Sequence, residues 1–308
     1  MKENIPDWAK PSPYDHYFYF LAPKVDRFKM LVQKIESLKL NYTVVPVAGN
    51  KHIFVFPQNH KTLRPVDGVL PFKGGSPVML VAHYDRVKNS PGANDNSIAV
   101  FFLLKVAMIL TQKGADNWII VFTDKEELSP GESLEAQGSF TLGEKMKASG
   151  LEKARVFNFD VCGAGNTFIL STTTDHILKS SNRPNLETLK KNISQLRAYA
   201  LEACHTLKLD NFLLAPTPFS DDVGFLRAGL ASQTITILPG KEAEQYEALL
   251  RSRPEFANIL ISGKTKEPAE RRYLPDTWKC LNNEGDTAFR LTPQYFEQVV
   301  NFAVELCK

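Results

Sequence analysis

The chain has 308 residues and little that would commit it to nucleic acid, membrane or disulfide chemistry. Its formal net charge is only +3, and no run of Lys or Arg exceeds a pair. That balance gives no reason to expect a nucleic acid or an anionic membrane as partner. The four cysteines, Cys162, Cys204, Cys280 and Cys307, are scattered with no CxxC pair, so neither a disulfide framework nor a thiolate zinc site is indicated. There is no GxGxxG and no GxxxxGK[ST], which leaves a nucleotide-binding loop without a sequence basis. Met1 to Pro11 is polar and contains no apolar h-region, so no signal peptide is expected. The longest apolar stretch, Ile98 to Leu110, is interrupted by Lys105 and is short for a bilayer span. Free thiols and the absence of a leader favour a cytoplasmic location. No internal repeat or low-complexity tract breaks the chain.

What is present is an alternating pattern. A chain of this length buries a sizeable core without disulfides, and we read residues 1–308 as one domain. Phe28, Leu31, Ile35 and Leu38 fall at helical spacing within Asp26 to Leu38. Tyr42 to Val47 and His52 to Pro57 read as strands around the turn signal Gly49-Asn50. Residues 58 to 75, rich in Pro and Gly, read as a loop. Pro77 to Ala82 (PVMLVA) and Trp118 to Thr123 (WIIVFT) are continuous apolar runs, as expected of strands buried on both faces. Helices are expected over 97 to 113, Gly138 to Ala148 and Asn185 to Leu207. Further strands are expected over Ala154 to Asp160, Asn166 to Thr172, near Phe212 and over Gln233 to Leu238. A last helix runs from about Pro293 to Cys307, with Thr292 as its N-cap. Strands alternating with helices predict a three-layer α/β/α fold with a central mixed, mostly parallel sheet. Residues 251 to 276 are charged, contain Pro and are weakly periodic, and read as a surface insertion.

In such a fold, polar residues matter most at the carboxyl ends of strands, where ligand sites gather. The first buried strand ends in His83-Tyr84-Asp85, and the loop after it carries Gly92-Ala93-Asn94-Asp95-Asn96. The second ends in Asp124-Lys125-Glu126-Glu127, and the third at Asp160. Singly, each has an ordinary explanation: a surface pair for His83 and Asp85, a helix cap for Asp95 or Asp160, a solvated face for Glu126-Glu127. Together, in order, at successive strand ends, they would repel one another unless a cation held them. Zinc accepts imidazole nitrogen and carboxylate oxygen, so the set suits it.

These residues resemble the co-catalytic zinc aminopeptidases, a family that includes bacterial leucyl aminopeptidases and is similar in fold to glutaminyl cyclases. The resemblance extends to Ser220-Asp221-Asp222 with Phe225 and Gly229, and to the close of a segment at Asp286-Thr287. It implies that His83 and Asp160 bind a first metal, that Asp95 bridges two, and that Glu127 binds the second. It makes Glu126 the general base and places Asp85 behind His83, fixing its tautomer. The implied activity is removal of N-terminal residues from small peptides through a zinc-activated water. Cyclisation of N-terminal Gln and catalytically silent peptide binding are the alternatives. Two positions depart from the family. Asn282 stands where a His would bind the second metal, so one or two zinc ions remain open, with His176 or His205 as conceivable substitutes. Asp222 stands where the family often has His. Leu128 to Gln137 forms a longer loop after Glu127, expected over the site. Trp278 and Phe225 are expected in the core rather than the site.

Overall fold

The computed structural model describes residues 14–57, 76–129, 131–179, 181 and 186–308. The polar Met1 to Pro11 and the loop read over 58 to 75 lie outside the described residues. In chain order the elements are α1 (Tyr17–Phe20), α2 (Arg27–Ser37), β1 (Asn41–Val47), β2 (Asn50–Phe56), β3 (Val78–His83), α3 (Ile98–Gln112), β4 (Trp118–Thr123), α4 (Gly138–Ala148), β5 (Arg155–Phe159), β6 (Thr167–Ser171), α5 (Thr173–Lys179), α6 (Leu186–Thr206), β7 (Phe212–Ala215), α7 (Asp221–Ala228), β8 (Ser232–Leu238), α8 (Gly240–Ser252), α9 (Phe256–Ile261), α10 (Pro268–Arg271), α11 (Asp276–Lys279) and α12 (Phe296–Glu305).

The eight strands form one sheet in the order β1-β2-β4-β3-β5-β8-β6-β7. The centre, β4-β3-β5-β8, is parallel. β2 joins it antiparallel at one side and β6 at the other. The pleat sorts the side chains between two layers. From β3, Val78, Leu80 and Ala82 face the cluster formed with α2, α3, α6 and α12. Met79 and Val81 face α4 and Phe225 of α7. β4 divides the same way, with Trp118, Ile120 and Phe122 on one side and Ile119 and Val121 on the other. Burial on both faces is why these strands read as unbroken apolar runs.

α3 is apolar nearly all round because it is enclosed. By length and composition Ala93–Gln112 reaches what a membrane span needs, more than the sequence reading of 98–110 allowed, but 83% of its most apolar window is buried inside the fold. Its one cation, Lys105, pairs with Glu297 of α12. Asp26 caps α2 by accepting from the Lys29 N–H at 3.1 Å. Thr292, expected as an N-cap, has no capping bond; its hydroxyl accepts from Gly165 N–H at 2.7 Å. The weakly periodic 251–276 folds into short helices, and Phe256 and Leu260 pack with Tyr246 and Trp278. Its polar appearance reflects its outer face alone.

His52 on β2 is fully buried, and its Nδ1 accepts from the Asp124 N–H at 3.3 Å. Burial lowers its pKa to about 4. A folded pKa below the unfolded value near 6.5 means the unfolded chain takes up the proton first. The His52 contribution is therefore whole above pH 6.5 and is lost as pH falls towards 4. We expect wild type to lose about 2–3 kcal/mol more than His52→Gln between pH 7 and pH 4, as read from urea midpoints. Parallel pH profiles for the two proteins would refute this.

Candidate active site

β4, β3 and β5 lie side by side and point the same way, so their carboxyl ends meet at one edge. His83 is the last residue of β3 and is fully buried. Asp160 follows β5 directly, and Glu126 and Glu127 occupy the turn after β4. Asp95 arrives from the loop between β3 and α3. That loop turns at Gly92, with φ of 62°, where a Cβ would stand 2.8 Å from the Asp95 carbonyl oxygen. The Asp95–Asn96 peptide is cis.

The structure thus brings together His83, Asp85, Asp95, Glu126, Glu127 and Asp160. His83 Nε2 lies 3.1 Å from Asp95 Oδ1 and 3.5 Å from Asp160 Oδ1. Its Nδ1 lies 3.4 Å from Asp85 Oδ1. The Asp85 carboxylate also accepts from the backbone N–H groups of Glu126 and Glu127, at 3.2 and 3.0 Å. Asp85 therefore ties the imidazole of β3 to the turn that carries both glutamates. Asp286 does similar work for the other loop, accepting from the N–H groups of Asn94 and Asp95 at 2.8 and 3.0 Å.

Several contributors lay outside the sequence reading. Gln137, at the end of the long 128–137 loop, donates through Nε2 to Glu126 Oε1 at 3.0 Å. Thr123 donates to Asp221 Oδ2 at 2.6 Å. A clamp from the N-terminal helices holds the metal loop. Arg27 donates to the carbonyls of Tyr84, Asp85 and Pro91 and to Ser97 Oγ, at 2.8 to 3.2 Å. Tyr17 donates to the Ala93 carbonyl at 2.9 Å. These partners are 57 to 76 residues apart in sequence, so no local pattern marks them. Asp222 is buried in α7. Neither His176 nor His205 joins a metal-ligating group among the described residues.

Nε2 of His83 and Oδ1 of Asp160 are buried without a hydrogen-bond partner. Leaving such groups unsatisfied is costly. An imidazole lone pair and two carboxylate oxygens facing one point become favourable when a cation sits among them. One ligand atom each from His83, Asp95 and Asp160 lies within 4.8 Å of the others, and one nitrogen with two oxygens is a donor set zinc accepts. The residues present fit the metal.

The charges point the same way. Burial, then the neighbouring Glu127, Asp160 and Asp221, push the Glu126 carboxyl well above its ordinary range, against the pull of His83. Burial and Asp95 raise Glu127 to about 9. Burial also raises Asp221 to about 6 and Asp222 to about 7. Asp85 goes the other way: contact with His83 and the two backbone N–H groups outweighs its burial and lowers it. A bound cation inverts the balance for the raised carboxyls, favouring their charged forms. Beside them opens a cavity of about 60 Å³, lined by Asp95, Glu126, Asp160, Phe219, Trp278 and Asn282 among others. Trp278 combines this with its expected core role, being 3% exposed and edge-on to Tyr246 at 4.9 Å. Phe225 is core alone.

The sequence model of peptidase family M28 matches residues 68–253. The chain belongs to peptidase family M28. A comparison with curated protein sequences returns no match. Among solved structures, a zinc aminopeptidase from Bacillus subtilis superposes with a TM-score of 0.52 at 20% identity, covering 83% of this chain and 49% of that one. The chain thus spans about half the length of that relative. A glutaminyl cyclase from Bacteroides thetaiotaomicron, bound to N-acetylhistamine, gives a TM-score of 0.63 at 16% identity and covers 99% of both chains. A zinc-dependent exopeptidase from Parabacteroides distasonis gives 0.61 at 12% identity, covering 98% of this chain and 99% of that one. At these identities the likeness is one of fold, and it agrees with the three-layer α/β/α architecture.

Proposed function

We propose that this M28 chain is a zinc-dependent aminopeptidase that removes N-terminal residues from small peptides. The observation that carries this reading is the convergence of His83 Nε2 on Asp95 and Asp160, with Glu126 lining the same cavity. His83, Asp95 and Asp160 would hold zinc, with Glu127 and Asn282 beside them. When bound, zinc lowers the pKa of water and polarises the scissile carbonyl.

The chain's own residues do the rest. Gln137 holds Oε1 of Glu126, leaving the other carboxylate oxygen to take a proton from the attacking water and return it to the leaving amine. Asp85 fixes the His83 ring and, through the backbone of Glu126, the position of the base. The carboxylates around the cavity attract a free α-ammonium group, which directs cleavage to N-termini.

A panel of aminoacyl amides, with a Gln-initiated peptide beside it, tests the assignment. Released amino acid is the expected product. Pyroglutamate without hydrolysis would replace the reading with a cyclase. Binding without either product, even after zinc is added, would leave a peptide-binding protein on a peptidase scaffold.

A further inference from the structure

The position of a second metal in this chain is taken by a hydrogen bond. Asn282 faces Glu127; with its amide oriented so that the nitrogen points at the carboxylate, that nitrogen donates to Oε1 at 2.6 Å and Oε2 at 3.1 Å. Turned this way the amide offers a donor to both carboxylate oxygens; the opposite orientation would set its oxygen against them. Both oxygens of Glu127 are thus engaged by a neutral donor, where an imidazole would have offered a lone pair to a cation.

The donor count agrees. The second acidic group, His83 with Glu126 and Glu127, shares its only nitrogen-bearing residue with the first. His83 Nε2 already faces Asp95 and Asp160, and Nδ1 faces Asp85. Among the described residues, no further ring nitrogen joins Glu126 and Glu127 to hold a second ion. Asn282 itself brings no suitable substitute, since amide oxygen serves hard cations such as calcium better than zinc.

We infer that the chain binds a single zinc ion, through His83, Asp95 and Asp160, and that the Asn282–Glu127 hydrogen bond closes the second metal position. The inference rests on the metal centre proposed above. It gives Asn282 a positioning role: the residue holds the Glu127 carboxylate at the cavity wall without an ion. Asn282 adopts a φ of 61°, a left-handed conformation in which Asn and His are both found more often than most residues. Asn282→His is therefore compatible with the local backbone and supplies the missing nitrogen.

The test is metal stoichiometry on the full chain, dialysed against micromolar zinc and then measured by native mass spectrometry and elemental analysis. One zinc per wild-type chain and two per Asn282→His chain is the expected pair of results. Two per wild-type chain would overturn the inference and leave the metal centre standing. None in wild type would overturn the metal centre, and the inference with it. A folded Asn282→His chain that still holds one would overturn the role given to Asn282. Should that variant misfold, cobalt-loaded wild type decides by electron paramagnetic resonance. An isolated high-spin signal supports one ion, and a spin-coupled pair refutes it.

Discussion

Glu126→Gln is expected to lower kcat by about 10³-fold or more, within or beyond the range ordinarily lost with a general base, while zinc content stays as in wild type. The change is nearly isosteric. The Gln amide oxygen can still accept from Gln137 Nε2, so the side chain keeps its place and loses only the ability to take a proton. Glu126 is not among the three groups His83, Asp95 and Asp160 that converge on the metal position. Separate readouts of turnover and metal content therefore distinguish a lost base from a damaged site. If the variant hydrolyses aminoacyl amides at the wild-type rate, another group moves the proton and the mechanism proposed here is wrong.

His83→Ala is expected to abolish tight zinc binding and, with it, the stabilisation zinc confers. A ligand present at 100 times its Kd stabilises the folded state by about 2.7 kcal/mol, a few degrees in Tm for a chain of this size. Wild type should gain that increment when zinc is added, and the variant should not. The variant should also melt lower than wild type without metal. It opens a cavity at a fully buried position and leaves Asp85, Asp95 and Asp160 facing one another without the imidazole. Equal zinc-dependent Tm increments in both proteins would place the metal elsewhere.

The parts of this arrangement that were legible in the sequence share a cause. β3 and β4 are buried on both faces, so their apolar runs stand out, and the polar residues that break those runs mark the strand ends. His83, Glu126, Glu127 and Asp160 could be read because each sits directly at such an end. Asp95 was legible through its Gly-Ala-Asn-Asp-Asn context, where Gly92 supplies the turn. The illegible parts depend on contacts distant in sequence. Arg27 and Tyr17 reach the metal loop from the N-terminal helices. Gln137 meets Glu126 only because the loop before α4 folds back. Thr292 had the spacing of a cap, yet its hydroxyl is committed to Gly165, a partner 127 residues away. Residues 251–276 looked polar because short helices with one buried face show weak periodicity, although Phe256 is fully enclosed. Asn282 could be noticed as a departure, but only its placement against Glu127 shows what replaces the missing ligand.

The order β4-β3-β5 has a consequence for how such a protein can change over generations. His83, Asp160 and Asp95 are anchored at β3, just past β5 and in the loop entering α3. Phe219, Trp278 and Asn282, which also line the cavity, come from stretches after β7 and after β8. The cavity is thus assembled from two lengths of chain. The later segments also reach back to the first: Asp286 accepts from the Asn94 and Asp95 N–H groups, and Asn282 faces Glu127. Substitution in the later segments is therefore expected to alter both the shape of the cavity and the way its acidic loop is held.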